Sequence, residues 1–206
     1  MIEYKSDEEK AEDVKAWWRE YGSSVVAAVV LAIVGLFGWE YWQKHQLSKA
    51  ETAAATYQSL SKATDKAQSA KLLSELQNSY GATPYASLGA LDSAKNAAEQ
   101  GDLDTAAKDL RWVMDNAKDA DLKTLATLRL ARVLVSQNKP DEALKLMDGV
   151  TVKAYESLKE ELKGDVFAAK NQVKEAREAY QKAMAANQAG KNDLIQLKLD
   201  NLGQGA

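Results

Sequence analysis

The 206-residue chain contains no cysteine. Disulfides, thiolate metal sites and cysteine nucleophiles are therefore excluded, although a well-packed helical domain does without disulfides even in an oxidising space. Prolines number two and glycines eleven, and no segment shows the strict apolar/polar alternation of a half-buried strand. The remaining composition, heavy in Ala, Leu, Lys and Glu, favours helix nearly throughout, so an all-α fold is expected. Histidine occurs once, as His45, with no Ser or carboxylate placed around it in a catalytic pattern, and it reads as an interfacial aromatic. Phosphate-cradling glycine loops, H-E-x-x-H, G-x-S-x-G and metal-ligand clusters are all missing. The pairs Glu160/Glu161 and Glu175/Glu178 read as solvated helix faces. Neither enzymatic activity nor a cofactor is expected. The net charge of −3, without a Lys/Arg stripe, argues against a nucleic-acid partner.

What the chain does have is one long apolar run. From Tyr21 to Trp39 no residue is charged, and these nineteen residues span roughly 28 Å as a helix, close to the hydrocarbon thickness of a bilayer. A signal-peptide core is shorter and follows a brief basic segment. Here an acidic stretch precedes the run, and no small-x-small cleavage site follows it. Trp17, Trp18 and Tyr21 mark one edge and Trp39, Tyr41 and Trp42 the other, as aromatic belts do at the two headgroup levels. The run reads as a retained transmembrane helix over residues 21–42, in contact with membrane lipid. Lys15 and Arg19 before it nearly balance Lys44 and Lys49 after it, and the expected orientation, short tail inside and long domain exported, rests on the ease with which long domains translocate.

Residues 1–20 form the tail. Ser6 with Glu9 fits a capping box, and Val14, Trp17, Trp18 and Tyr21 recur on one helical face. The stripe fits an extension of the spanning helix resting in the headgroups, with an interfacial helix touching a membrane partner as the alternative. Within the span, Ser24, Ala28, Ala32 and Gly35 share a face whose small side chains admit a second helix; they are the candidate partner-binding residues of the span.

Residues 43–206 read as one domain that opens with a helix continuing from the span to about residue 66. Three places then share a pattern: Gln100-Gly101-Asp102, Gln137-Asn138-Lys139 and Lys170-Asn171-Gln172, each with an Ala five residues after the Gly or Asn. Gly and Asn tolerate the left-handed backbone that ends a helix. The alanines Ala106, Ala143 and Ala176 lie 37 and 33 residues apart, near the period of tetratricopeptide repeats. Larger apolar residues follow at Leu110, Met147 and Tyr180, then Val113, Val150 and Ala183. Ahead of the turns stand Ala94, Ala131 and Gly164, then Ala97, Leu134 and Phe167. A degenerate match lies 36 residues before Ala106, at Ala70, with Tyr57 ahead of it and Ser74 behind. Residues 192–202, with Leu194, Ile195, Leu197, Leu199 and Leu202, read as a closing helix. Such a solenoid offers a concave face for a partner or an extended segment. By repeat register that face carries Leu88, Leu91 and Lys95, then Leu125, Leu128, Arg132 and Val135; the competing reading makes most of these leucines core.

The order of features resembles the YfgM-type ancillary subunits of the bacterial SecYEG translocon. The resemblance rests on Val14 to Gly22 before the span and on Gly38 to Trp42 with His45-Gln46 after it. Tyr80-Gly81 with Tyr85 to Leu88, Leu128 to Val133 and Leu197 to Leu202 extend it along the body. It implies a single-pass protein of the bacterial inner membrane, with a cytoplasmic tail and tetratricopeptide-like repeats in the periplasm. It further implies association with the SecYEG translocon and with a PpiD-type membrane-anchored periplasmic chaperone, and a role in passing newly exported client proteins from the channel to periplasmic chaperones. The alternative is a tethered helical-repeat scaffold for another envelope complex.

Overall fold

Both prolines head helices, where a missing N–H costs nothing because the first turn has no partner for it. Pro84 opens α3 and Pro140 opens α6. The computed structural model describes residues 7–187 and 192–202; Ser6 of the expected capping box and the side chain of Val14 lie outside the described residues. The chain divides into two units, residues 1–49 and 50–206.

The first unit is built on α1, which runs from Asp7 to Lys62 as one helix. It is long and apolar enough to cross a membrane. The apolar side chains of the uncharged run stand exposed, Leu31, Leu36 and Phe37 among them. Trp17 packs on Tyr21 at 5.9 Å between ring centroids, and Trp39 on Trp42 at 5.3 Å. His45 stacks on Tyr41 with its ring nearly parallel, 4° between planes.

The second unit takes the end of α1 and continues with α2 (Lys66–Tyr80), α3 (Pro84–Glu99), α4 (Leu103–Asn116), α5 (Ala120–Ser136) and α6 (Pro140–Asp148). A single 3-10 turn (Lys153–Tyr155) leads into α7 (Glu156–Ala169), α8 (Val173–Ala186) and α9 (Asp193–Asn201). Neighbours in sequence pack as neighbours in space, α3 on α4, α4 on α5, α5 on α6 and α7 on α8.

The three turns of the sequence pattern are the same motif. Gly101, Asn138 and Asn171 have φ of 80°, 62° and 57°, the left-handed region. In each turn the amide of that residue donates to the carbonyl three back, Ala98, Val135 or Ala168. The next amide, of Asp102, Lys139 or Gln172, donates to the carbonyl five back, Ala97, Leu134 or Phe167. These are the two hydrogen bonds of a Schellman C-cap. Helix starts are fixed as well: Asp65 accepts from the amide of Gln68, Asp102 from that of Thr105, and Asp119 from those of Asp121 and Leu122. Each such cap stabilises its helix by about 1 kcal/mol.

The register residues meet in the core. Ala106, Ala143 and Ala176 are fully buried, and so are Val113, Met147 and Ala183. One core joins α2 to α7; a second holds α8 and α9 together through Tyr180, Ala183, Ile195 and Leu199; a third, around Ala53, Leu76 and Ala86, ties the end of α1 to α2 and α3. The first unit of the repeat needs a correction. Ala70 and Ser74 are exposed, and the buried residues of α2 are Leu73 and Leu76. These lie 37 residues before Leu110 and Val113, so the first unit keeps the full spacing, with Ser69 in the place of Ala106 and Tyr57 and Leu60 in those of Ala94 and Ala97. The closing helix is present, with Ile195 and Leu199 inward and Leu194 and Leu197 61% and 56% exposed.

Candidate functional site

The four small residues of the span, Ser24, Ala28, Ala32 and Gly35, are all exposed on α1. A side chain placed at Gly35 would meet nothing within 4 Å, so this strip of helix is open to close approach.

The face expected to be concave divides when built from side chains. Leu91 and Leu128 are 3% and 2% exposed and belong to the core that joins α3, α4 and α5; they present no surface, because each fills the seam between adjacent helices. Lys95 and Arg132 are exposed, while Leu88, Leu125 and Val135 are half-buried. Lys95 leans towards Glu99 at 3.8 Å. The same register continued by 33 residues reaches Leu158, Glu161 and Asp165 on α7, three residues that extend the face beyond those expected from the sequence.

There the face is already occupied from within the chain. Lys198 of α9 donates to Glu161 at 2.6 Å and to Asp165 at 2.9 Å, and lies over the Tyr180 ring at 5.9 Å. Burial works against its charge, but the hydrogen bonds it donates to Asp165 and Glu161 outweigh that effect and hold Lys198 above the usual lysine range. Glu160 is a second correction: it is buried rather than solvated, within 4 Å of Lys159 and Lys163. Lys159 also donates to Glu156 at 2.7 Å, so the pairs neutralise one another at the base of α7.

Two grooves between successive second helices of the repeated helix pairs, α2, α4 and α6, were not foreseen, because each is assembled from residues a whole repeat apart. One, of about 530 Å³, lies between α4 and α6 over α5; Met114, Leu130, Leu134 and Leu146 make it apolar, with Arg111 and Glu142 among the charges around it. The other, of about 630 Å³, lies between α2 and α4 over α3 and is polar. In it Ser93 donates to Asp109 at 2.6 Å, and burial pushes the Asp109 carboxyl up from its ordinary value. Tyr57 donates to Asp92 at 2.7 Å, which holds the phenol above its usual range. Among the described residues no group of three or more His, Asp or Glu is placed to hold a metal ion.

Residues 15–204 match the tetratricopeptide repeat-like domain family. The chain is 35% identical to an ancillary SecYEG translocon subunit of Aggregatibacter actinomycetemcomitans over 95% of this chain and 97% of that protein. It is 32% identical to one of Neisseria gonorrhoeae over 98% and 100%, and 28% identical to one of Escherichia coli over 97% and 98%. At these coverages each match takes in the apolar helix and the repeat domain together. The chain thus belongs to the family of ancillary SecYEG translocon subunits, built on a tetratricopeptide repeat-like domain.

Proposed function

We propose that this protein is a non-enzymatic scaffold of the bacterial inner membrane that works beside the SecYEG translocon. The observation that carries the reading is the reach of the family likeness, which runs with translocon subunits across nearly the whole chain, apolar helix included. In this reading α1 crosses the membrane once, with the tail in the cytoplasm and the repeat domain in the periplasm. The open strip of Ser24, Ala28, Ala32 and Gly35 lies against a translocon helix, where small residues let backbones approach and dispersion act over a long contact. The surface of Leu88, Lys95, Leu125, Arg132 and Val135 receives a membrane-anchored periplasmic chaperone of the PpiD type, and exported proteins pass between channel and chaperone at that point.

The test is photo-crosslinking in intact cells from probes at Ala32 and Arg132. Adducts to translocon subunits from the first and to a periplasmic chaperone or nascent client from the second are expected. Consistent capture of a different envelope complex, with the protein correctly inserted, would overturn the reading.

A further inference from the structure

The repeat supplies an internal control for its own grooves. Positions 37 residues apart are equivalent, so Leu72, Asp109 and Leu146 occupy one position on three successive second helices. Likewise Ser93 and Leu130 occupy one position on α3 and α5. Around α5 the fold fills these sites with two leucines, Leu130 and Leu146, that line an apolar groove. Around α3 it places a serine and an aspartate there, with Asp109 only 5% exposed. Burying a carboxylate is costly where an apolar residue serves the packing equally well. The stability of the solenoid therefore does not call for the pair.

The surroundings of Asp109 point to what the pair serves. Its Oδ2 is held by the Ser93 hydroxyl, and Asp92 in the same cleft is held by the Tyr57 hydroxyl. Among the described residues neither carboxylate has a Lys or Arg ion pair. The lysines of the cleft are engaged or outward: Lys66 is turned to Asp102, Lys95 to Glu99, and Lys108 is exposed and acts on Asp109 through space without forming an ion pair. The walls bring Gln77, Asn96 and Gln100, whose amides both donate and accept and so match peptide backbone groups. The cleft's volume of about 630 Å³ falls in the range of ordinary ligand sites.

We propose that the cleft between α2 and α4 binds an extended peptide segment and seats a Lys or Arg side chain of that segment against Asp109 and Asp92. This assignment stands apart from the translocon reading, since it rests on the chemistry of the cleft alone.

The experiment uses the full chain in an uncharged detergent and fluorescence anisotropy of labelled Gly/Ser peptides that carry one central arginine. The comparison peptide carries citrulline, which has nearly the same shape without the charge. Binding of the arginine peptide about tenfold tighter than the citrulline peptide is expected, as for a charge-assisted hydrogen bond. The double variant Ser93→Leu/Asp109→Leu takes the residues of the next repeat; it should keep helicity, melt no lower than wild type and lose that preference. Should the double variant fail to fold, Asp109→Asn, which still accepts from Ser93, serves the same comparison. Equal binding of the two peptides, or an unchanged preference in a folded variant, overturns the proposal.

Discussion

Gly164 of α7 faces the ring of Tyr180 on α8 so closely that a Cβ at Gly164 would run into the ring carbons. Tyr180 in turn donates its hydroxyl to Asp165, the residue next to Gly164, at 2.8 Å. The large residue of one helix thus sits in the space left by the small residue of the other, with a hydrogen bond fixing the ring. Gly164→Ala must push α8 away or force the ring off its rotamer, and overpacking of this kind costs about 1–3 kcal/mol. Urea unfolding of the full-length protein, followed by circular dichroism, measures it; an unchanged midpoint would show that the pair closes less tightly than described.

The left-handed turns make a paired prediction. A residue with a Cβ at φ near 80°, as at Gly101, is strained by about 1–2 kcal/mol. Gly101→Ala should lower stability by about that amount. Asn138→Gly, at a φ of 62°, should leave it nearly unchanged, because Gly suits the same conformation. Thermal melts of the two variants under one set of conditions decide the point.

Lys198 is the electrostatic clasp of α9, with Glu161 and Asp165 as its partners. All three side chains keep some exposure, so solvent screening reduces the loss expected for Lys198→Met to about 1–2 kcal/mol. The loss should be local: hydrogen exchange should quicken in residues 193–202 and stay unchanged in α3 to α6. Because the folded pKa of Lys198 is raised, its contribution is complete below the ordinary lysine pKa and disappears as pH rises through the folded one.

Leu128 and Arg132 separate core from surface on a single helix. Leu128→Asp places an unpaired charge in the seam between helices and should unfold the repeat domain, a cost of about 4 kcal/mol or more. Arg132→Glu, on an exposed side chain, should leave the unfolding free energy within about 0.5 kcal/mol of wild type while lowering recovery of the chaperone partner proposed above. Circular dichroism and co-purification read the two effects independently.

The fold was legible in the sequence wherever one residue type answers one local demand. Gly101, Asn138 and Asn171 announce left-handed turns because few other residues adopt that backbone without strain, and all three turns lie where the pattern puts them. The alanines after them are readable because only a small residue fits the crossing, and all three are fully buried. The first unit misled because Ser69 stands where the others have alanine, so that Ala70, one residue away, drew the alignment. The face expected to meet a partner divides into surface and core. Lys95 and Arg132 are exposed as their charge suggests, but Leu91 and Leu128 share their face by register and still turn inward, since a helix in a solenoid touches neighbours on more than one side. The polar cleft was hidden because Ser93 and Asp109 are ordinary helix residues until the fold sets them 2.6 Å apart.

Asp109 gives the pH dependence a sign. Burial raises its pKa above the ordinary carboxylate value, against the lowering effects of the Ser93 hydrogen bond and of Lys108 and alongside the repulsion of Asp102. A carboxyl that is a weaker acid when folded binds its proton at a higher pH in the native state than in the unfolded one. Its contribution to stability is therefore complete below the unfolded pKa of 3.8 and is lost as pH rises through the raised folded value. Other carboxylates act the opposite way, Asp102 among them, since its hydrogen bonds from Thr105 lower its pKa. The Asp109 effect must then be read as a difference. Asp109→Asn keeps the shape and the acceptor for Ser93 but cannot ionise. The variant should be more stable than wild type at neutral pH, and its advantage should shrink as pH falls towards the unfolded value. Denaturant midpoints of both proteins across that range test this; an advantage that stays constant with pH would mean that Asp109 titrates in the folded chain as it does in the unfolded one.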